Sequence, residues 1–302
     1  MKIPVVFLGT GQAIPTAKRN HTSILLKYKD ETMLVDCGEG TQRQIRKAKI
    51  NPCKLTRLLI THWHGDHILG IPGLLQTLAL NNYNKTLHIY GPKRTKKFMN
   101  LIMSLFVKKG KIKYEIKEIT KGKVFETPDL IVEALPMRHG APCLAYSIKE
   151  KDKIRINKKK LKKLNLPQTP LIQKLKLGKD IKIKGKKISG KNLTYSEPGK
   201  KISFIFDTII NPNTYKLAKD SDLLICESTF LANSEKGEQL AKEYKHLTAK
   251  QAAGIAKKAK AKKLVLAHIS QRYENKEELI LDEAKKIFKN VHIPEDLDKI
   301  EV

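Results

Sequence analysis

The chain has 302 residues, 40% of them apolar, which is enough for a sizeable buried core. Its formal charge is +30, and that excess calls for a polyanionic partner. No apolar run approaches the roughly 18 residues of a membrane-spanning helix, and Cys37, Cys53, Cys143 and Cys226 are scattered without a Cys-x-x-Cys pair. This usage reads as reduced thiols in a cytoplasmic protein.

Ile3–Leu8 reads as a first strand, broken too early by Gly9 and Gly11 to be a signal peptide. A polar loop, Pro15 to Asn20, follows. Ser23–Lys29 and Thr32–Val35 form an expected hairpin. A glycine-rich turn, Asp36 to Gly40, leads into a helix over Thr41–Ala48. Leu55–Ile60 is a buried strand. Next come a helix near Gly70–Leu80, a strand near Leu87–Tyr90 and a helix near Lys93–Lys108. Strands are expected over Lys111–Ile119 and Leu130–Leu135. From about 149 to 200 apolar residues become sparse, and such a composition does not build a compact core. Strand–helix alternation resumes with strands Ile202–Phe206, Leu223–Cys226 and Leu264–Ala267. The expected helices are near Asn213–Lys219, Thr248–Lys260 and Lys276–Phe288. This rhythm predicts one layered α/β domain over 1–302, with 149–201 as an inserted arm.

The charge is not spread evenly. Residues 149–201 hold 19 Lys or Arg against 4 Asp or Glu, a net of +15. A general lysine bias would distribute the excess over the whole chain. The arm therefore reads as a nucleic-acid-binding element.

Residues 61–67 read Thr-His-Trp-His-Gly-Asp-His, so three of the nine histidines fall within six residues. Imidazole and carboxylate together suit a divalent transition metal such as zinc. His62 and His64 alternate along an extended segment and can point to one side. Asp66 and His67 are adjacent and aim elsewhere, so one loop can serve two neighbouring ions. Further ligand-capable residues follow expected strands: His139, Asp207 and His268. Loops at strand ends are where open α/β folds build their sites. His21, His88 and His292 lack this setting and read as structural.

The run His62 to His67 resembles the His-x-His-x-Asp-His signature of the metallo-β-lactamase superfamily. Other segments resemble its ribonuclease Z branch, the tRNA 3′-processing endonucleases. They are Phe7 to Gly11, the loop Pro15-x-x-Lys18-Arg19-Asn20, Asp36 to Gln44, Arg138 to Pro142 and Ala145-Tyr146. Lys163 to Pro167 with Leu175 to Gly178 resembles the branch's tRNA-binding arm. Glu227 to Phe230, His246 to Ala249 and His268 to Tyr273 also match. The likeness runs in order along nearly the whole chain.

The resemblance implies an αββα four-layer sandwich with a protruding lysine-rich arm. It implies two Zn2+ per subunit, with His62, His64 and His139 on one ion, Asp66, His67 and His268 on the other, and Asp207 bridging. It also implies a homodimer, cytoplasmic and not membrane-bound, that acts on precursor tRNA. The 3′ trailer is removed, leaving a 3′-hydroxyl on the tRNA and a 5′-phosphate on the trailer. Asp66 is the implied proton acceptor, and His246 with Glu227 assists the leaving oxygen. Lys18, Arg19, Asn20, Lys174 and Lys176 are implied to touch RNA. The branch usually has glycine before the bridging aspartate; here Phe206 stands there, implying a crowded site or a restricted backbone. Two other functions stay open at this point: a small-molecule hydrolase with the same centre, and an RNA-binding scaffold without activity.

Overall fold

Short β-branched and leucine-rich segments form the strands, and two seven-stranded sheets result. The computed structural model describes residues 2–107, 111–163, 174–175, 179–183 and 186–302. The first sheet contains β1 (Pro4–Gly9), β2 (Ser23–Tyr28), β3 (Glu31–Val35), β4 (Arg57–Leu59), β5 (Thr86–Gly91) and β6 (Lys113–Glu118). They lie in sequence order, with β18 (Lys299–Glu301) pairing on the outside of β1. The β1–β2–β3 pairs are antiparallel, and β3 through β6 are parallel.

The second sheet contains β7 (Gly122–Glu126), β8 (Leu130–Met137), β9 (Cys143–Glu150), β14 (Lys201–Ile205), β15 (Leu223–Glu227), β16 (Leu264–Ala267) and β17 (Val291–His292). Its order is β17-β16-β15-β14-β9-β8-β7, with β14 through β17 parallel.

Helices cover one face of each sheet. Leu34, Leu58, Ile60, Leu87 and Ile89 of the first sheet pack on α3 (Ile71–Leu80) and α4 (Thr95–Phe106). In α3 the buried residues Ile71, Leu74, Leu75 and Leu78 follow the i, i+3, i+4, i+7 spacing of one helical face. In the second sheet Ile205, Leu224, Cys226, Leu264 and Leu266 pack on α7 (Pro212–Ala218), α9 (Ala249–Lys258) and α10 (Glu277–Lys285). Alanines 252, 253 and 256 let α9 lie close to the strands. Its N-terminus carries a capping box: the Thr248 hydroxyl accepts from Gln251 N, and the Gln251 side chain accepts from Thr248 N. Such a cap contributes about 1 kcal/mol.

The alternate residues, including Met33, Val35, Leu59, Ile202, Phe204, Ile225 and Val265, are also fully buried. Parallel strands covered on both sides read in this way. Between the sheets, the Tyr146 hydroxyl donates to Ile60 O at 2.7 Å and Leu144 N donates to Thr61 O at 2.9 Å. The layer order is therefore helix, sheet, sheet, helix. The remaining helices are α1 (Thr41–Lys47), the single turn α2 (Gly65–Ile68), and α8 (Gly237–Tyr244).

The chain divides into two compact units, Met1–Glu126 with Val132–Ile148 and Lys201–Val302, and Thr127–Ile131 with Lys149–Lys200. In the second unit β10 (Lys153–Ile156) pairs antiparallel with β13 (Thr194–Glu197), and β11 (Ile181–Ile183) with β12 (Lys186–Ile188). It also carries the short helices α5 (Lys158–Lys163) and α6 (Gly190–Leu193). Leu175, Ile181 and Leu193 are buried there, with Leu161 and Ile188 packed against them. The low apolar content thus still supports a small core, because five well-placed aliphatic side chains are enough to nucleate one. Most of the 163–178 segment singled out in the sequence, including Lys176, lies outside the described residues.

No helix among the described residues is long and apolar enough to cross a membrane. All four cysteines are free thiols.

Candidate metal centre

The C-terminal ends of the parallel strands of both sheets deliver the chemistry-bearing side chains. Asp36 follows β3, His62 to His67 follow β4, Asp207 follows β14, Glu227 ends β15 and His268 follows β16. Asp36, Asp207 and His268 all turn the chain with left-handed backbone angles, at φ +57°, +45° and +57°. Such backbone is uncommon outside glycine and concentrates at functional sites. Gly38 permits the close approach of the β3 turn, since a Cβ there would lie 2.4 Å from the Asp66 carbonyl oxygen.

Two clusters share Asp207. His62, His64, His139 and Asp207 offer ligand atoms within 4.8 Å of one another, and so do Asp66, His67, Asp207 and His268. The two oxygens of Asp207 divide between them. Oδ2 lies 3.4 Å from His62 Nε2 and 3.6 Å from His139 Nε2. Oδ1 lies 3.4 Å from His67 Nε2 and 3.2 Å from His268 Nε2. Asp66 Oδ2 is 3.3 Å from both His67 Nε2 and His268 Nε2. His139 Nε2 is 3.1 Å from His64 Nδ1. Ligands of a tetrahedral zinc ion with bonds near 2.0–2.1 Å stand about 3.3 Å apart.

The donor set fits metal ions on independent grounds. His62 Nε2 and Asp207 Oδ1 are buried, face the cluster, and have no hydrogen-bond partner. An orphaned buried polar atom is costly unless something else satisfies it. The electrostatics say the same. Burial, aided by neighbouring His67, pushes His62 well below the ordinary histidine value. Burial also opposes charge on His67, but Asp207, Asp66 and Asp36 outweigh it and raise that histidine well above the usual range. Asp66 and Asp207 are held far below the carboxylate range despite burial, Asp66 chiefly by His67 and Asp207 by His268 and His67. The carboxylates therefore demand positive charge in the cluster, and divalent ions would supply it without protons.

Around this centre, His246 Nδ1 bonds Glu227 Oε2 at 2.9 Å. The His246 ring stands 5.2 Å from His139 and 5.4 Å from His268. Burial opposes its charge, but Glu227 and then Asp207 carry its pKa up to about 9. His64 is exposed and His246 half-buried, so the centre opens on that side.

Phe206 does not need the glycine backbone that the resemblance led us to expect. The left-handed turn falls on Asp207 instead, and Phe206 is fully buried with its ring 6.4 Å from His67 and 6.3 Å from His268. It walls the centre rather than obstructing it.

The loop Pro15 to Asn20 is anchored to the C-terminal region. Lys18 is exposed, with Nζ donating to Asn275 Oδ1 at 2.6 Å. Arg19, expected at the substrate, is only 7% exposed. Its guanidinium donates to Glu277 Oε1, Thr10 Oγ1 and Pro294 O. A guanidinium with those partners anchors the loop and is not free to grip RNA. Asn20 is half-buried, its amide donating to Glu39 O at 3.2 Å. Lys174 is exposed. His21, His88 and His292 lie outside the clusters.

Sequence reasoning passed over Asp36, Thr61 and Thr229. Asp36 Oδ2 lies 2.7 Å from His67 Nδ1, and both threonine hydroxyls contact histidines of the clusters. The available signal was positional: Asp36 follows a strand just as Asp207 does, and Thr61 directly precedes His62.

Residues 3–157 match the family model described as anti-Pycsar protein Apyc1, a span that includes His62 to His67 and His139 but stops before Asp207. Ribonuclease Z of Methanosarcina acetivorans is 37% identical over 302 residues, covering 99% of this chain and 97% of that protein. The crystal structure of human tRNase Z, short form, superposes with a TM-score of 0.71 at 27% identity, covering 98% of each chain. The metallo-β-lactamase fold protein YhfI of Bacillus subtilis superposes with a TM-score of 0.71 at 19% identity, covering 100% of this chain and 99% of that one, a likeness of fold. The chain has the metallo-β-lactamase fold and belongs to the ribonuclease Z family.

Proposed function

We propose that the protein is a zinc-dependent endoribonuclease that removes the 3′ trailer from precursor tRNA. It leaves a 3′-hydroxyl on the tRNA and a 5′-phosphate on the trailer. The observation that carries this reading is the division of Asp207 between two histidine sets. His62, His64, His139 and Asp207 would hold one Zn2+, and Asp66, His67, His268 and Asp207 a second. Paired zinc ions supply an activated water at neutral pH and stabilise charge on the attacking and leaving oxygens of an in-line displacement.

The chain's own groups do the rest. Asp66 orients the attacking water and accepts its proton. His246, held charged by Glu227, donates a proton to the leaving 3′-oxygen. Lys18 and Asn20 would contact the first trailer nucleotides, from a loop that Arg19 fixes. The arm expected over 149–201, including Lys174 and Lys176, grips the folded tRNA through its phosphates, since RNA helices are read largely by shape and backbone.

The protein acts as a cytoplasmic homodimer. In support, Leu80, Leu101 and Leu105 on α3 and α4 are 83%, 51% and 74% exposed, and Phe106 is 45% exposed. Exposed apolar side chains become association surfaces where they form one patch. A Leu80→Lys/Leu105→Lys variant is expected to halve the mass seen by light scattering.

The activity is tested with a 3′-extended tRNA transcript, using the wild type and Asp66→Ala with and without chelator. Cleavage after the discriminator nucleotide, lost in the variant and with chelator, is the expected result. Tight RNA binding without cleavage in the zinc-replete wild type would overturn the reading, as would turnover of small phosphodiesters alone.

A further inference from the structure

The two sheets surround the metal centre with the same proton-accounted arrangement, built once from each half of the chain. In the first half, Asp36 is buried and fully engaged. Its Oδ1 accepts from Thr61 N at 2.7 Å, and its Oδ2 accepts from the Thr61 hydroxyl at 2.7 Å and from His67 Nδ1 at 2.7 Å. The Thr61 hydroxyl has one proton, and the carboxylate can only accept. That proton therefore points to Asp36, and Thr61 Oγ1 must accept from His62 Nδ1, 3.1 Å away. His62 then carries its proton on Nδ1 and presents a lone pair at Nε2, the orphaned atom that faces Asp207.

In the second half, buried Glu227 takes the part of Asp36. Its Oε1 accepts from Thr208 N at 2.6 Å, and its Oε2 accepts from the Thr229 hydroxyl at 2.8 Å and from His246 Nδ1 at 2.9 Å. The Thr229 hydroxyl also lies 3.3 Å from the His268 carbonyl. The shorter contact to a carboxylate wins, because charge-assisted bonds are about twice as strong. Thr229 Oγ1 thus accepts from His268 Nδ1 at 2.9 Å, and His268 presents a lone pair at Nε2 toward Asp207 and Asp66.

We infer that Thr61 and Thr229 are positioning residues, each relaying a buried carboxylate's negative charge to one histidine and fixing the tautomer with which it binds metal. Each carboxylate then sets two histidines, one directly and one through a hydroxyl. Asp36 orients His67 directly and His62 through Thr61, and so reaches both ion sites. Glu227 orients His268 through Thr229 and His246 directly, and so couples one ion site to the proton donor. With both rings neutral, His67 Nε2 and His268 Nε2, 3.2 Å apart, present lone pairs to each other. That arrangement repels unless a cation lies between them. The inference rests on the two-ion reading and deepens it.

The test replaces each hydroxyl with a methyl. Partners of metal-ligating histidines are worth about 10–100-fold in metal affinity. In competition with a chromophoric chelator, Thr61→Val is expected to weaken one zinc by that factor and Thr229→Val the other. Thr61→Ser and Thr229→Ser should retain near-wild-type binding. Asp36→Asn should weaken both ions. In the zinc-loaded wild type, long-range 1H–15N spectra should show His62 and His268 protonated at Nδ1 with slowly exchanging protons, a readout that requires no variant to fold. Valine variants that keep two ions at wild-type affinity would overturn the inference while leaving the two-ion reading intact. So would His62 or His268 protonated at Nε2. A wild type that binds no zinc would instead remove the reading beneath it.

Discussion

Charge neutralisation on the arm gives the prediction with the best-defined magnitude. Helix α5 reads Lys-Lys-Lys-Leu-Lys-Lys over Lys158–Lys163, and all five lysines are exposed. Leu161 packs against the unit's small core and should be kept. Each lysine that neutralises an RNA phosphate contributes about 0.7–0.9 to the slope of log affinity against log salt. Replacing all five with glutamine should therefore flatten the slope by about 4. Between 50 and 200 mM salt, the wild type should lose roughly two orders of magnitude more affinity for a 3′-extended tRNA than the variant loses. Filter binding at several salt concentrations measures this. Hydrolysis of a small phosphodiester by the same variant should be unchanged. An unchanged slope, or equal loss on both substrates, would refute the assignment of the arm to RNA phosphates.

Two further predictions concern the frame of the site. Phe206→Ala removes a fully buried ring beside His67 and His268 and should cost about 3–5 kcal/mol of stability, seen as a fall in Tm of several degrees; an unchanged Tm would show that the ring is not packed as described. Glu31 pairs with Arg57 at 2.8 Å, and although burial opposes its charge, bonds from Arg57 and Thr56 hold its pKa below the ordinary 4.5. A carboxyl lowered by folding stabilises the protein above pH 4.5 and loses that contribution as pH falls through its lowered value. Glu31→Gln should thus reduce thermal stability at pH 7, with the difference from wild type shrinking below pH 4.5; a pH-independent difference would count against the ion pair.

The site was legible in sequence where chemistry has a period or a position. His62 and His64 alternate, and Asp207 and His268 end strands that hydrophobic patterning alone marks out. What patterning cannot see is where a turn places its strain. Phe206 looked like an obstacle because the unusual backbone was assigned to it, whereas the chain puts the left-handed angle on Asp207. Arg19 looked like a surface cation because sequence does not show that Glu277, Thr10 and Pro294 close over it. Hydrophobic patterning does not mark out β9, because its apolar run is broken by Ser147 and Lys149, yet it is buried nearly throughout and pairs between β14 and β8 in the second sheet. Thr61 and Thr229 carry no pattern at all; only the count of protons around Asp36 and Glu227 exposes them.

In the proposed mechanism Asp207 would join two ions into one hydrolytic centre. The most direct measurement strips the protein with chelator, restores zinc stepwise, and records ions per chain alongside cleavage of a 3′-extended tRNA. Two ions per wild-type chain are expected, with cleavage rising as the second binds, and Asp207→Ala should neither hold the pair nor cleave. Full cleavage by stripped protein, or an Asp207→Ala variant that binds two ions and cleaves normally, would contradict the account.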